Sequence, residues 1–287
     1  HKKEKNHYLC AFIYRRYTEQ QKANTTQHNF WTMSVEIKKV TGKEMLKQFV
    51  RFGIDLYKGN EYYVPPLIYD EMATLNSEKN PAFDHCEATY FMAFRGDKPV
   101  GRIAAFINYK ANEIWNERNA RFGFVDFIDD DEVVDALFGA AESWARSHGM
   151  EKIHGPLGFT DLDPEGLLIE GFDQISTMST RYSYPYYKDQ IERLGYVKDQ
   201  DWFEYLIPVP KEIPERFMRV SDAVRRRFRL KIKKFESKKE VWPYAKEIFM
   251  LLNRAYQNLY GYVPLTDRQI DYYVNMRRPL SCDNFKV

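Results

Sequence analysis

Thr89-Tyr90-Phe91-Met92-Ala93-Phe94-Arg95-Gly96-Asp97-Lys98-Pro99-Val100, continuing through Gly101-Arg102-Ile103-Ala104-Ala105-Phe106-Ile107-Asn108, decides the fold. Two apolar runs flank a short segment whose Gly and Asp suit a tight turn, so the stretch predicts a hairpin. Upstream, Val35-Glu36-Ile37-Lys38-Lys39-Val40 has a strand pattern. Thr41 is then placed to cap a helix in which Met45, Leu46, Phe49, Val50, Ile54 and Leu56 recur at the spacing of a buried stripe. The loop Tyr62-Tyr63-Val64-Pro65-Pro66-Leu67 ends that helix, and a short helical stretch follows over residues 68–75. Downstream, residues 121–128 (RFGFVDFI) predict a strand. Residues 129–148 predict a helix, with Val133, Val134, Leu137, Phe138, Ala141 and Trp144 on one face and Gly149 at its end. A short strand at 152–155, a Gly- and acid-rich loop at 156–171, a helix at 186–194 and a strand at 196–209 complete the order. Such an order predicts an α/β (α+β) domain, a mixed, mostly antiparallel sheet with helices on both faces.

The composition fits that class. Of 287 residues 44% are hydrophobic and 29% charged, which excludes disorder over most of the length and suits two ordinary domains. Lys+Arg at 43 against Asp+Glu at 41 leave a formal charge of +2, so nothing global argues for nucleic acid or an anionic membrane as partner. Cys10, Cys86 and Cys282 are few, distant and odd in number, with no spacing that holds zinc; they point to a reducing, cytoplasmic setting. No run approaches the ~20 apolar residues of a membrane span, and no signal-peptide core is present.

Residues 1–32 are polar without sustained periodicity and are expected to stand outside the fold, with Met33 as the natural start. Leu230-Lys231-Ile232-Lys233-Lys234-Phe235 echoes the strand at 35–40, and each is followed by an amphipathic helix and a Tyr-Val-Pro loop, Tyr63-Val64-Pro65 or Tyr262-Val263-Pro264. The expected organisation is therefore a leader (1–32), a first domain (33–210), a linker (211–229), the start of a second copy (230–276) with a helix at 266–276, and an aberrant tail (277–287). The second copy is expected to be truncated.

This order, ending in Ile191-Glu192-Arg193-Leu194-Gly195-Tyr196 before a strand, resembles the GNAT acyl-CoA N-acyltransferases. Phrases at Asp126–Asp130 (DFIDD), Ile153–Asp161 (IHGPLGFTD) and Gly261–Asp267 (GYVPLTD) are similar to an uncharacterised bacterial family of tandem GNAT-like domains. The resemblance covers residues 33–276. It implies an acyl-CoA or acetyl-CoA donor for the complete protein, an amine acceptor deprotonated by a general base, direct attack on the thioester, and release of CoA. It also implies that the glycine-rich donor loop lies in the part of the second domain missing from this chain, so the fragment binds no cofactor and is inactive alone.

Where the family holds the CoA pyrophosphate on bare amides at a helix N-terminus, this chain reads Asp129-Asp130-Asp131-Glu132-Val133. Carboxylates there repel a pyrophosphate and suit the helix N-terminus itself. Asp130, Asp131, Glu132 and Val133 are thus the position of a degenerate cofactor loop. A metal site at Asp126, Asp129 and Asp131 matches no ligand spacing, and no metal is expected. Where the resemblance places a Tyr acid stands Ile191, which has no proton to give; Tyr187 and Tyr186 lie a turn or more earlier and either substitute for it or pack. The loop 154–170 offers Asp161 and Glu165 as candidate bases, with Phe159, Thr160, Asp161 and Asp163 as candidate substrate contacts, against the alternative of a surface turn rich in Asx and Gly. His154 reads as a structural histidine. The run 225–234 (RRRFRLKIKK) reads as a solvated linker and edge strand, with nucleic-acid binding as the alternative. A second functional class also fits, a non-catalytic binding or dimerisation module with a degenerate GNAT fold.

Overall fold

The computed structural model describes residues 7–16, 34–176, 180–208 and 210–276. Its strands are β1 (His7–Arg16), β2 (Val35–Lys39), β3 (Cys86–Arg95), β4 (Lys98–Asn108), β5 (Asn119–Phe127), β6 (Lys152–Gly155), β7 (Leu167–Glu170) and β8 (Val197–Tyr205). Its α-helices are α1 (Gly42–Asp55), α2 (Ile68–Thr74), α3 (Tyr109–Trp115), α4 (Asp131–Ser147), α5 (Tyr186–Arg193), α6 (Glu215–Phe228), α7 (Lys238–Val241), α8 (Ala245–Tyr256) and α9 (Asp267–Met276).

One eight-stranded sheet organises them, in the order β2-β3-β4-β5-β6-β1-β7 with β8 also paired to β1. Every pairing is antiparallel except β5 with β6. The α+β reading with a mostly antiparallel sheet therefore holds. The β3–β4 hairpin closes with Arg95 opposite Lys98, and Gly96 sits in the turn at φ +62°. Because strand side chains alternate between faces, β4 feeds two cores at once. Ile103, Ala105 and Ile107 join Val133, Val134, Leu137, Phe138 and Ala141 of α4. Ala104 and Phe106 join Phe49 and Val50 of α1 on the other face. Each buried Val, Leu, Ile or Phe among them contributes about 1.5–3 kcal/mol. Thr41 does stand at the N-cap of α1, but its side chain makes no capping bond.

β1 corrects the expectation that residues 1–32 lie outside the fold. Residues 7–16 form a central strand, paired with β6, β7 and β8, and Ala11, Phe12 and Ile13 are buried. Arg15 locks the strand to α4 through an ion pair to the buried Glu142 at 3.0 Å, and Tyr196 donates to the same carboxylate at 3.1 Å. A charged strand end explains why the segment reads as polar. Met33 and residues 277–287 lie outside the described residues.

The second correction is at residues 230–235. Expected as a strand, they form none, because an isolated strand has no edge to pair with. The basic run before them, expected as a linker, is the C-terminal end of α6. Beyond it, α9 forms as expected, and Tyr262, Val263, Leu265 and Ile270 are buried. Lys110 donates to Pro264 O at 2.6 Å and Trp115 to Tyr262 O at 3.3 Å, docking this segment on α3. No helix among the described residues is long and apolar enough to cross a membrane.

Candidate functional site

The loop after β6 is built around two close approaches. Gly158 lies where a Cβ would come within 2.4 Å of Asp163 Cβ, so only glycine lets the turn close. Asp163 Oδ2 then accepts from Phe159 N at 2.8 Å and Thr160 N at 3.1 Å. Burial pushes the Asp163 carboxyl up, and those amides work against the shift. Asp161 Oδ2 accepts from Val263 N at 3.1 Å, tying the loop to the C-terminal segment. Thr160 Oγ1 lies 3.0 Å from Tyr273 Oη.

This loop separates two cavities that share Leu162 and Thr180. The first, of about 320 Å³, is walled by apolar side chains such as Leu157, Trp202, Leu252 and Leu259, with Arg121, His154, Asp161, Glu165, Thr180 and Glu204 among its polar groups. Glu165 is the group of chemical interest. Its burial, reinforced by the charges of Asp161 and Asp163 and opposed by Arg121, pushes the carboxyl up to about 8. His154 is fully enclosed, and desolvation, with Arg121 and Lys152 nearby, holds it well below its usual value. It is a neutral imidazole at physiological pH.

The second cavity, of about 470 Å³, is polar on one side and aromatic on the other. Arg102, 1% exposed, donates from Nε to Asp126 Oδ2 at 2.7 Å and from Nη1 to Phe49 O at 3.0 Å. Its guanidinium fills the space beside Gly53, where a Cβ would come within 1.9 Å of Nη2. The hydroxyls of Tyr57 and Tyr187 lie 2.9 and 3.3 Å from Asp126 Oδ1 and 2.8 Å from each other. Glu71 accepts from Arg181 at 2.6 Å and stands 3.6 Å from Arg102. Burial alone raises that carboxyl, but the two arginines outweigh it and hold it below its usual range. Two buried polar atoms at this cavity have no hydrogen-bond partner among the described residues, Glu71 Oε2 and Tyr272 Oη.

The structure sorts the sequence candidates. Asp161 and Glu165 come together at the first cavity, and Asp163 lines the second. Phe159 instead packs against Phe83 and Phe106 at 4.8 and 4.7 Å between ring centres, and neither it nor Thr160 lines either cavity. Tyr187 is likewise behind the wall, stacked on Phe127 at 4.2 Å and accepting from Phe127 N. Its burial, followed by the Asp126 charge, raises its hydroxyl well above 10, which leaves it a positioning group for Asp126. Ile191 is in the core.

At the N-terminus of α4 the carboxylates are already engaged. Asp130 takes both guanidinium nitrogens of Arg95 at 2.9 and 3.1 Å and accepts from Val133 N at 3.2 Å; the Arg95 bond is the main cause of its lowered pKa. Glu132 pairs with Arg95 at 3.0 Å, and Gln190 bridges Asp129 and Asp131. Among the described residues no cluster of three or more His, Cys, Asp or Glu is placed to hold a metal.

The sequence reading missed Arg102, Glu71 and Arg181, and weighed Asp126 only as a metal ligand. The signal was present: a lone Arg and a lone Asp inside otherwise apolar strands are costly unless they meet.

No protein-family model matches the chain. It is similar to Protein YghO of Escherichia coli, 33% identical over 228 residues that make up 79% of this chain and 57% of the relative. It is also similar to a protein named bacterial ceramide synthase, from Caulobacter vibrioides, 29% identical over 231 residues, 78% of this chain and 58% of the relative. The chain spans a little over half the length of these curated relatives. A conserved protein of unknown function from Staphylococcus epidermidis aligns at a TM-score of 0.37 and 10% identity, over 70% of this chain and 61% of that one.

Proposed function

We propose that this chain carries the acceptor-binding half of a GNAT-like N-acyltransferase, with a long-chain amine or amino alcohol as acceptor. The observation that carries the reading is Glu165, a carboxyl pushed up to about 8 in a cavity whose walls are otherwise mostly apolar. A base is most effective when its pKa lies near the working pH. An ordinary carboxylate is too weak a base for an alkylammonium, whereas a Glu near 8 is close to matched with it. Trp202, Leu252 and Leu259 suit an aliphatic chain, and Glu71 Oε2 and Tyr272 Oη next door, which have no hydrogen-bond partner among the described residues, suit its hydroxyls. A ceramide is the amide of a fatty acid and a long-chain amino alcohol, so the similarity to a protein named bacterial ceramide synthase supports this acceptor class.

In this reading Glu165 takes one proton from the acceptor's ammonium and frees the nitrogen lone pair. Asp161 keeps the segment around Val263 closed over it. The α4 N-terminus does not fit a diphosphate, because Asp130, Asp131 and Glu132 place three carboxylates there and Asp130 already occupies the amide of Val133. The acyl donor is therefore assigned to the length of the relatives that this chain does not span.

Calorimetric titration tests the reading. A long-chain amino alcohol is expected to bind saturably at pH 8.5, Glu165→Gln is expected to weaken it about tenfold or more, and an acyl-CoA is expected not to bind. Saturable acyl-CoA binding without amine binding overturns it.

A further inference from the structure

α6 is the least explained element of the molecule. It runs from Glu215 to Phe228, and none of its residues is buried. Phe217, Val220, Val224 and Phe228 recur at three-, four- and four-residue spacing and are 41–61% exposed. On a helix of 3.6 residues per turn they fall within one stripe roughly 80° wide. Arg216 and Arg227 flank that stripe on one side and Arg225 on the other, while Arg219 and Arg226 share the opposite face with Glu215 and Asp222. The guanidinium groups of Arg216 and Arg227 lie over the rings of Phe217 and Phe228, at 4.8 and 5.5 Å. Isolated helices of about this length are marginal in water, so α6 needs a surface for its stripe.

The charge says which surface. Residues 215–234 hold nine Lys/Arg against two acids, a surplus of seven in a chain whose formal charge is only +2. Leu230, Ile232 and Phe235 extend the exposed apolar material past the helix end, interleaved with Lys231, Lys233 and Lys234. A nucleic acid would use the charge but leave the apolar stripe bare, and a protein core would use the stripe but have to bury the arginines beside it. A bilayer surface with anionic headgroups takes both, with the aromatic side chains in the acyl boundary and the arginines reaching up to the phosphates.

We propose that α6 and the basic segment after it form an interfacial anchor that lays the molecule on an anionic membrane. The inference stands independently of the acyl-transfer reading, since it uses no residue of either cavity.

Sedimentation with phosphatidylcholine vesicles, with and without phosphatidylglycerol, tests it. Binding is expected to tighten roughly tenfold or more with the anionic lipid. The double variant Phe217→Asp with Val224→Asp is expected to lose binding to both vesicle types while keeping the parent's circular dichroism and thermal melt, because neither side chain supports the core. Replacement of Arg225, Arg226 and Arg227 by Gln is expected to remove the anionic preference. Undiminished vesicle binding by the Asp variant overturns the proposal in favour of a plain basic patch. Two further outcomes also overturn it: a parent that ignores vesicles but self-associates until the Asp residues are introduced, and one that prefers single-stranded RNA whether or not they are present.

Discussion

Asp126 and Glu165 each bring a carboxyl to a cavity, the first buried and the second partly buried, and their surroundings differ. Asp126 meets Nε and Nη2 of Arg102 at one oxygen, Oδ2, and gathers two tyrosine hydroxyls at the other. Glu165 meets apolar walls and two further acids, with Arg121 as its only charged relief. A paired buried charge is an architectural device that fixes α1 against β4 and β5. An unpaired one keeps its proton and is chemically available. Burial alone therefore does not mark an active group; burial without compensation does.

The largest effect expected from this contrast is on the paired side. Asp126→Ala leaves Arg102 enclosed without its principal counter-charge and is expected to cost about 3–5 kcal/mol of unfolding free energy in a denaturant titration. Replacing both residues by Leu is expected to recover much of that loss. A cost under ~1 kcal/mol for Asp126→Ala would break the comparison.

On the unpaired side the sign reverses. The unfolded Glu165 releases its proton near 4.5 and the folded one near 8, so between these values the native state holds the extra proton. The stability carried by the neutral form is fully present below about pH 4.5 and is lost as pH rises through about 8. Glu165→Gln is expected to remove this penalty, making the variant more stable than the parent by on the order of 2–4 kcal/mol at pH 9, at 1.36 kcal/mol per pKa unit. The two melts should converge near pH 5. A constant gap across that range would show that Glu165 is paired after all.

The smallest effect sharpens the comparison from outside. Arg95 and Asp130 form a bidentate pair that is partly exposed, with side chains 28% and 25% accessible. Arg95→Gln is expected to cost about 0.5–1 kcal/mol, reduced further by salt. The same pairing chemistry as Arg102–Asp126 would thus differ several-fold in effect through solvent access alone.

Much of this architecture was legible because side-chain period reports burial. The hairpin at 86–108 and the stripe of α4 follow from it directly. β1 escaped because Leu9–Tyr14, a six-residue apolar run, is bracketed by polar and basic residues. The loop 154–170 was legible as a site through its acids between a strand and turn glycines, and Asp161 and Glu165 do line one cavity. Phe159 was misread because a loop position does not reveal that its ring turns inward. Arg102 and Asp126 were read as strand residues 24 positions apart, and only register brings them opposite one another. The docking of Tyr262–Leu265 onto Asp161 is likewise a long-range contact without a local signature.

That docking has a practical corollary. The floor of the Glu165 cavity comes from residues 154–165 and its roof from residues 252–265, joined by a connector whose described side chains are solvent-exposed from 210 to 236. A nick in the connector severs roof from floor while sparing the sheet. Limited digestion therefore becomes a gauge of occupancy: a molecule held between the two surfaces should keep the cut halves migrating together, and an empty cavity should let them part.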